Sequence, residues 1–553
     1  FPRLGSSLFT RIERAFTPLA RNKRLSIVVV GLTALLLRLA TLPLNPVPHP
    51  FIHDDFSFLL AAHTFASGRL TNPTPAMWTH FETVHETMVP TYMSMYFPAQ
   101  GLVLAAGIVL TGLAWSGILV VTALMCAALV WMLQAWLPPK WALLGGIIAI
   151  VHIALFSYWI NTYSGGGSVA ALGGALVLGA LPRLMRTAKF RYGLLLAIGI
   201  ILLATSRPYE GLLLCLPVAF VLGRWIFFGK NTPPAGVLLR RAAVPLLLIL
   251  AAGAWMGYYN YRVFGSPTTL PYKIDRTTYA VTPYFIWQPL RPEPHYRHKL
   301  MQEFYTQDET PNYETVHSIR GFVPGTLGKA LIAFLFFAGI AMLPPLIMVR
   351  RVFLDRRIRF LIACVLVLSV GMAIEIYLAP QYIAPFTAAF YAIGIQAIRH
   401  LRLWKPGDQP VGKTMARVLV SLCVVLAVVR LYAQPLHIRL GDRDSAACLI
   451  NWYGPSEFGL ARAKVEAHLE SLPGNQLAIV HYAPGHSPVD EWVYNAPDIG
   501  HSKVIWAQDM GAEQNLDLIH YYKNRTVWLI QPDSPSSEVT PYPVPDQLAA
   551  SLK

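Results

Sequence analysis

The chain has 553 residues, 54% of them hydrophobic and only 13% charged, with a mean hydropathy of +0.45. Soluble domains average about 25% charged residues, so the composition excludes a large soluble enzyme and reads as an α-helical polytopic membrane protein. The formal charge of +16 does not signal nucleic acid: from Arg439 onward there are 8 Lys/Arg and 14 Asp/Glu, which leaves +22 on the apolar part.

Those cations cluster in short loops between apolar runs, as cytoplasmic loops do under the positive-inside rule. Residues 1–25 carry six Lys/Arg against Glu13, which predicts a basic cytoplasmic N-terminus. The run from 27 to about 44 reads as the first span and as a signal anchor rather than a cleaved leader. Arg38, near its outer end, either snorkels or faces a site. An outer loop over 45–115 comes next. Within it, 56–65 has helical spacing, with Asp54 and Asp55 near its N-terminus, where the helix dipole favours anions. The apolar run 98–113 follows Tyr96-Phe97-Pro98 and reads as a re-entrant or surface helix, because the basic loop at 183–191 then falls inside. Further spans are expected at 117–136, 141–159, 168–182, 193–206, 211–228 and 243–262. A second outer loop over 263–326 leads to spans at 329–349, 360–378, 381–398 and 415–434. That makes about eleven crossings of some 20 residues each or slightly less, within a membrane domain over 26–434.

The tail, 435–553, reads as a small extracytoplasmic α/β domain. An amphipathic helix at 457–472 ends at Pro473-Gly474. Short strands follow at 477–482, 504–507 and 527–530, with a helical stretch near 513–522, a pattern that predicts a mostly parallel sheet. Residues 531–548 read as extended. Of the five cysteines, Cys126, Cys215, Cys364 and Cys423 lie in apolar runs and Cys448 is alone in the tail; no spacing suggests a metal knuckle or a disulfide framework.

Carboxylates beside hydrocarbon are costly and tend to mark functional sites, so His53-Asp54-Asp55 is the foremost candidate, for general-base work on a hydroxyl. The bland alternative is a helix cap or a solvated loop. In His80-Phe-Glu-Thr-Val-His-Glu, Glu82 with His85 or Glu86 would share a helix face and suit a divalent ion such as Mg or Mn; polar residues on a surface helix are the alternative. Arg207, followed by Pro208, Tyr209 and Glu210, sits where a span ends outside and suits phosphate, or else pairs with Glu210. Lys273 and Arg276 are further candidates for the same role. Tyr163 opens a Gly-rich outer turn that either approaches a ligand or packs helices. Glu375, Gln381 and Tyr382 lie at the outer ends of late spans. In the tail, His481, His486, Asp490 and Glu491 read as a surface loop.

Asp54-Asp55-Phe56-Ser57, Leu59-Leu60-Ala61-Ala62 and Gly68-Arg69-Leu70-Thr71-Asn72-Pro73 resemble the first outer loop of bacterial GT-C glycosyltransferases, relatives of the protein O-mannosyltransferases and lipid A aminoarabinose transferases. Asp54 matches the family's acid, Asp55 stands where it has Glu, and Tyr96-Phe97-Pro98 departs from its Tyr-Pro-Pro at Phe97. The resemblance covers roughly 25–265. It implies a GT-C-like fold, a polyprenyl-phosphate-linked sugar donor, Asp54 and Asp55 as catalytic acids, and an acceptor that is a lipid, a glycan or a protein. It also implies a bacterial inner membrane, with the site and the tail on the periplasmic face. His53, His80, Tyr163, Tyr209, Glu210 and Tyr382 would then line the substrate groove. A transporter or flippase of lipid-linked sugars, or a non-catalytic scaffold with a periplasmic binding domain, are the competing readings.

Overall fold

The structure is a computed structural model; it describes residues 6–230, 232–433, 435–436, 457–534 and 537–543. Cys448, the start of the tail at 437–456 and the last residues, 544–553, lie outside the described residues.

Among the described residues six helices are long and apolar enough to cross a membrane: Ala114–Trp136, Gly167–Thr187, Pro208–Phe228, Ala235–Phe264, Ile319–Phe337 and Val411–Ala433. A seventh candidate, Ile340–Leu354 with Arg359–Ile374, is bent by 108°. The expected eleven continuous spans are therefore not reproduced one for one. The expected span at 329–349 breaks at Gly339, whose φ is +68°, and continues as short 3-10 pieces around Pro344. The 141–159 run changes to a π-helix at Ile150–Ala154 and stops at Ser157. The run at 381–398 turns α-helical only from Thr387. Lys23–Ala40 is helical but carries Lys23, Arg24 and Arg38. Pro98–Thr111, Pro139–Ala154 and Phe190–Ala204 are shorter apolar helices.

Burial separates two classes of helix. Ala114–Trp136 and Gly167–Thr187 are 67% and 72% buried over their apolar windows, and with Thr387–Arg402 they form the centre of the largest core cluster. Ala235–Phe264 and Ile319–Phe337 are 6% buried and expose rows of Leu and Val, as helices do whose solvent is hydrocarbon. Small residues let the central segments touch: a Cβ on Gly174 would lie 1.8 Å from the carbonyl oxygen of Pro385. That contact holds the 381–386 turn against the central helix.

On the basic side, the Ser6–Ala15 helix is clamped by Glu13, which accepts from Arg402 at 2.8 Å and from Arg417 at 3.0 Å. On the other side, Arg38 is fully buried. It donates to the carbonyls of Asn45 (2.7 Å) and Pro46 (3.2 Å) and to Asn161 (3.1 Å), and its guanidinium lies 4.8 Å from the Trp115 ring centroid. It therefore faces inward and ties the start of the first outer loop to the end of the 158–161 turn. Buried hydrogen bonds from a charged group contribute about 1.5–3 kcal/mol each, enough to fix where the loop leaves the first helix. Further along, the loop folds back on itself through two short antiparallel strands, β1 (Glu86–Thr87) and β2 (Met93–Ser94).

Among the described residues the three expected strands of the tail form as β3 (Asn475–Val480), β4 (Val504–Gln508) and β5 (Arg525–Gln531), and a fourth, β6 (Glu538–Pro541), lies in the stretch read only as extended. They form one sheet in the order β4-β3-β5-β6. β3 pairs in parallel with β4 and β5, and β6 is antiparallel to β5. One face, through Ala478, Val480 and Trp506, buries Val465 and Leu469 of the Glu457–Ser471 helix. The other, through Leu477, Ile479 and Ile505, packs on Leu518 and Ile519 and on Leu60, Phe81, Met88 and Tyr92 of the first outer loop. The sheet thus shares a core with the helix that carries Asp54.

The Glu13 clamp gives a pH prediction. Two arginines hold its carboxyl down at about 2 from an ordinary 4.5, with burial opposing them. A carboxyl depressed on folding stabilises above its unfolded value and loses that contribution as pH falls through the folded one. Amides of Ser6–Ala15 should therefore exchange faster as pH falls from about 4.5 towards 2 after correction for intrinsic rates. Glu13→Gln should exchange fast throughout; equal protection in variant and wild type would overturn the clamp.

Candidate active site

The His53–Ala66 helix starts after Ile52, and its first turn aims three side chains in three directions because successive residues are about 100° apart. Asp54 meets His85 Nδ1 at 2.6 Å, accepts a short hydrogen bond from the Tyr96 hydroxyl, and has His53 Nε2 at 3.4 Å. Tyr96 also lies 2.9 Å from His85 Nδ1 and stacks on Phe58 at 4.3 Å. His53 and His85 pack edge to face at 4.4 Å, both against Phe304. Burial raises the Asp54 carboxyl's pKa, but His85, His53 and Tyr96 more than offset it and hold the group well below the carboxylate range. His85 is correspondingly raised against its own burial, chiefly by Asp54. Burial pushes His53 down to about 3, which keeps it neutral. The centre is an ionised carboxylate between a neutral imidazole, His53, and a second imidazole, His85, whose Nδ1 it holds at hydrogen-bond distance.

Asp55 points elsewhere. It is fully buried and accepts from the backbone N–H of Tyr163 at 2.9 Å and of Phe51 at 3.4 Å. Burial pushes its pKa up to about 7 despite those donors. It is not brought beside Asp54's partners; it fastens the loop to the Gly-rich turn. Tyr163 belongs to the same fastening, its hydroxyl donating to the Pro48 carbonyl at 3.1 Å.

A second pole forms around Arg207. It donates to the Gly165 carbonyl at 3.1 Å and stacks 4.5 Å over the Tyr382 ring. Gly165 takes φ +87°, and a Cβ there would press on Gln381 at 3.0 Å, so glycine is what lets this carbonyl reach Arg207. Tyr272 and Tyr382 stand between the poles: each is within electrostatic range of both Asp54 and Arg207. Tyr272 also packs edge to face on Tyr96 at 5.8 Å. Glu210 and Glu375, both buried, adjoin Arg207. Beyond Glu375, Lys329 donates to the Met372 carbonyl at 3.0 Å and to that of Glu375. It lines the polar end of an apolar cavity of about 390 Å³ between Ile319–Phe337, the bent pair and Thr387–Arg402.

Several sequence expectations are corrected. Residues 80–87 are not a helix: His85 has φ +66° and β1 pairs with β2, so Glu82, His85 and Glu86 share no face. Glu82 accepts from Tyr279 at 2.5 Å and Arg297 at 3.2 Å. Glu86 is buried with Glu491 nearby, and burial raises its pKa well above 4.5. Among the described residues, the group able to hold a metal is instead His53, Asp54 and His85, with ligand atoms within 4.8 Å of one another. Arg276 is spent on Glu309 at 2.6 Å and on the Thr282 carbonyl, and Lys273 is exposed. His80 is buried near His298 and Asp517 rather than beside Asp54. Tyr209 donates to the Gly371 carbonyl at 3.0 Å, between helices. Glu491, expected on a surface loop, is buried and accepts from Thr83 of the first outer loop. Tyr272, Phe304 and Lys329 were not singled out in the sequence; of these only Lys329, an ionisable group beside an apolar run, carried a signal.

No protein-family model matches the chain, and no curated sequence does. Among solved structures it is similar to ArnT from Cupriavidus metallidurans bound to undecaprenyl phosphate, at 13% identity over 91% of this chain and 92% of that one, TM-score 0.49. It is also similar to the Archaeoglobus fulgidus oligosaccharyltransferase in complex with Zn and sulfate, at 12% identity over 92% and 67%, TM-score 0.47. With that enzyme tethered to an acceptor peptide, the values are 12% over 84% and 62%, TM-score 0.43. This chain thus spans under two thirds of the oligosaccharyltransferase in that last match.

The two neighbouring aspartates should separate experimentally. Asp55→Ala leaves the buried N–H of Tyr163 and the half-buried N–H of Phe51 without this acceptor and should cost about 2–4 kcal/mol, seen as a lower melting midpoint in detergent. Asp54→Asn, which keeps an acceptor for Tyr96, should shift it far less. Equal shifts would contradict the division of roles.

Proposed function

We propose that the chain is an integral-membrane glycosyltransferase that moves a sugar from a polyprenyl-phosphate donor to an acceptor hydroxyl at the outer water–lipid boundary. One arrangement carries the reading: an ionised carboxylate and a buried guanidinium share a cluster of tyrosines, and Lys329, bonded to the carbonyl of Glu375 beside Arg207, lines an apolar cavity. Asp54 takes the acceptor's proton, the freed oxygen bonds to the anomeric carbon, and the bond from that carbon to the phosphate oxygen breaks. The electron pair leaves with the phosphate, whose charge Arg207 stabilises. Attack from the face opposite the phosphate inverts the anomeric centre. Tyr96 and His85 hold Asp54 in place, and Asp55 positions the loop. The prenyl chain lies in the cavity beside Lys329.

The metal reading shifts with the geometry. His53, kept neutral by burial, with Asp54 and His85 offers two nitrogens and an oxygen, a set that suits Mn or Zn better than the oxygen-seeking Mg. A bound ion would supply Lewis-acid charge beside the acceptor. Orientation in a bacterial inner membrane, with the site and the tail periplasmic, is part of the proposal. It is supported by the gathering of basic segments elsewhere: Glu13 with Arg402 and Arg417, Gln134 against the Lys23 carbonyl, Arg241 against that of Ala188.

The test is transfer of labelled sugar from polyprenyl phosphate to membrane extract by the purified protein. Asp54→Asn and Arg207→Met should each slow transfer at least about 100-fold, with an inverted product from wild type. Undiminished transfer by Asp54→Asn would remove the base, and inactivity of wild type with every donor would favour a transporter or a scaffold.

A further inference from the structure

A second cavity, of about 330 Å³, lies outside the membrane helices, between the Lys299–Glu303 helix of the second outer loop and the carboxyl ends of β3 and β4. That volume is within the roughly 300–1,000 Å³ of small-molecule sites. Its place is also significant. β3 is the first strand of the sheet in sequence, and the chain goes to β4 on one side of it and then to β5 on the other. Open parallel sheets bind ligands outside the carboxyl ends of strands where the order reverses.

The rim mixes charge signs. Its lining includes Arg297, Lys299 with Glu303 at 3.5 Å, and His481, whose Nδ1 lies 2.7 Å from Asp509. A phosphate would select donors only, and an apolar ligand would leave these charges stranded. A polyol fits, since each hydroxyl both donates and accepts, and Leu300, Pro484 and Met510 offer apolar surface for its C–H faces. Residues next to the crevice also pack on the acid centre. Phe304, next in chain after Glu303, contacts the rings of His53 at 4.7 Å and His85 at 5.3 Å. Arg297 binds Glu82, and Gln508 donates to the Glu82 carbonyl at 2.9 Å, three residues before His85.

We propose that this crevice is a subsite for a hydroxyl-rich glycan, the acceptor whose hydroxyl Asp54 deprotonates; the acceptor role rests on the transferase reading above. Phe304 and the Glu82 backbone connect the crevice wall to the acid centre.

The test uses the full chain in nanodiscs with three probes: neutral chitotriose, acidic trigalacturonate and inorganic phosphate, each followed by saturation-transfer NMR. One of the two oligosaccharides should bind saturably and phosphate should not. His481→Ala and Lys299→Ala change exposed side chains, 52% and 72% accessible, so loss of fold is not the expected outcome. Each should weaken oligosaccharide binding at least tenfold, raise KM for a glycan acceptor and leave hydrolysis of the donor by water unchanged. Asp54→Asn should bind oligosaccharide as wild type does. Absence of oligosaccharide binding, binding by both variants as tight as that of wild type, or binding of phosphate alone would overturn the subsite. Binding lost in the variants with no transfer by wild type would keep the glycan site and reject only the transferase reading.

Discussion

A buried carboxylate without water must find donors, and the first outer loop is arranged around one that does. Asp55 takes the N–H groups of Phe51 and Tyr163, while Arg38 takes the carbonyls of Asn45 and Pro46 and the amide of Asn161. Between them they pin both ends of 45–55 to the 157–164 turn. Irregular backbone at membrane depth is tolerated only where protein satisfies it. Asp54 can hold its position because its neighbour in sequence is fastened on the opposite side of the same helical turn.

The tail adds a second constraint. Because the sheet buries Leu60, Phe81 and Tyr92 in its own core, the loop that presents His85 is stiffened from outside the membrane. Thr83 donates to Glu491 across that contact, and Tyr482 donates to the same carboxylate from within the tail. The tail is packed as a wall of the site, and changes at β3 or β4 are transmitted to the 82–86 backbone through Gln508.

Much of this was legible in the sequence, for identifiable reasons. The tail's strands and helices stand out because alternation and Pro-Gly stops are local signals: the predicted 504–507 and 527–530 lie within β4 and β5. Asp54 stands out because acids are scarce beside apolar runs. What was not legible depends on tertiary placement. His85 is at positive φ, so the helical spacing that grouped it with Glu82 and Glu86 had no helix to act on. Arg276 looked like a free cation because Glu309, 33 residues away, is not a local partner. Apolar runs were read as continuous spans, and hydropathy does not register a break at Gly339 or a 108° bend.

That bend has a kinetic meaning. The apolar cavity borders it, and its rim carries Leu346, Val349 and Phe353, each half exposed where lipid would lie. On the proposed transferase reading, a donor with a long prenyl tail enters such an opening sideways, by diffusion in two dimensions. What then fills the cavity is the mole fraction of that lipid in the bilayer. Diluting the membrane with inert phospholipid should slow loading, whereas diluting the surrounding buffer should leave it unchanged.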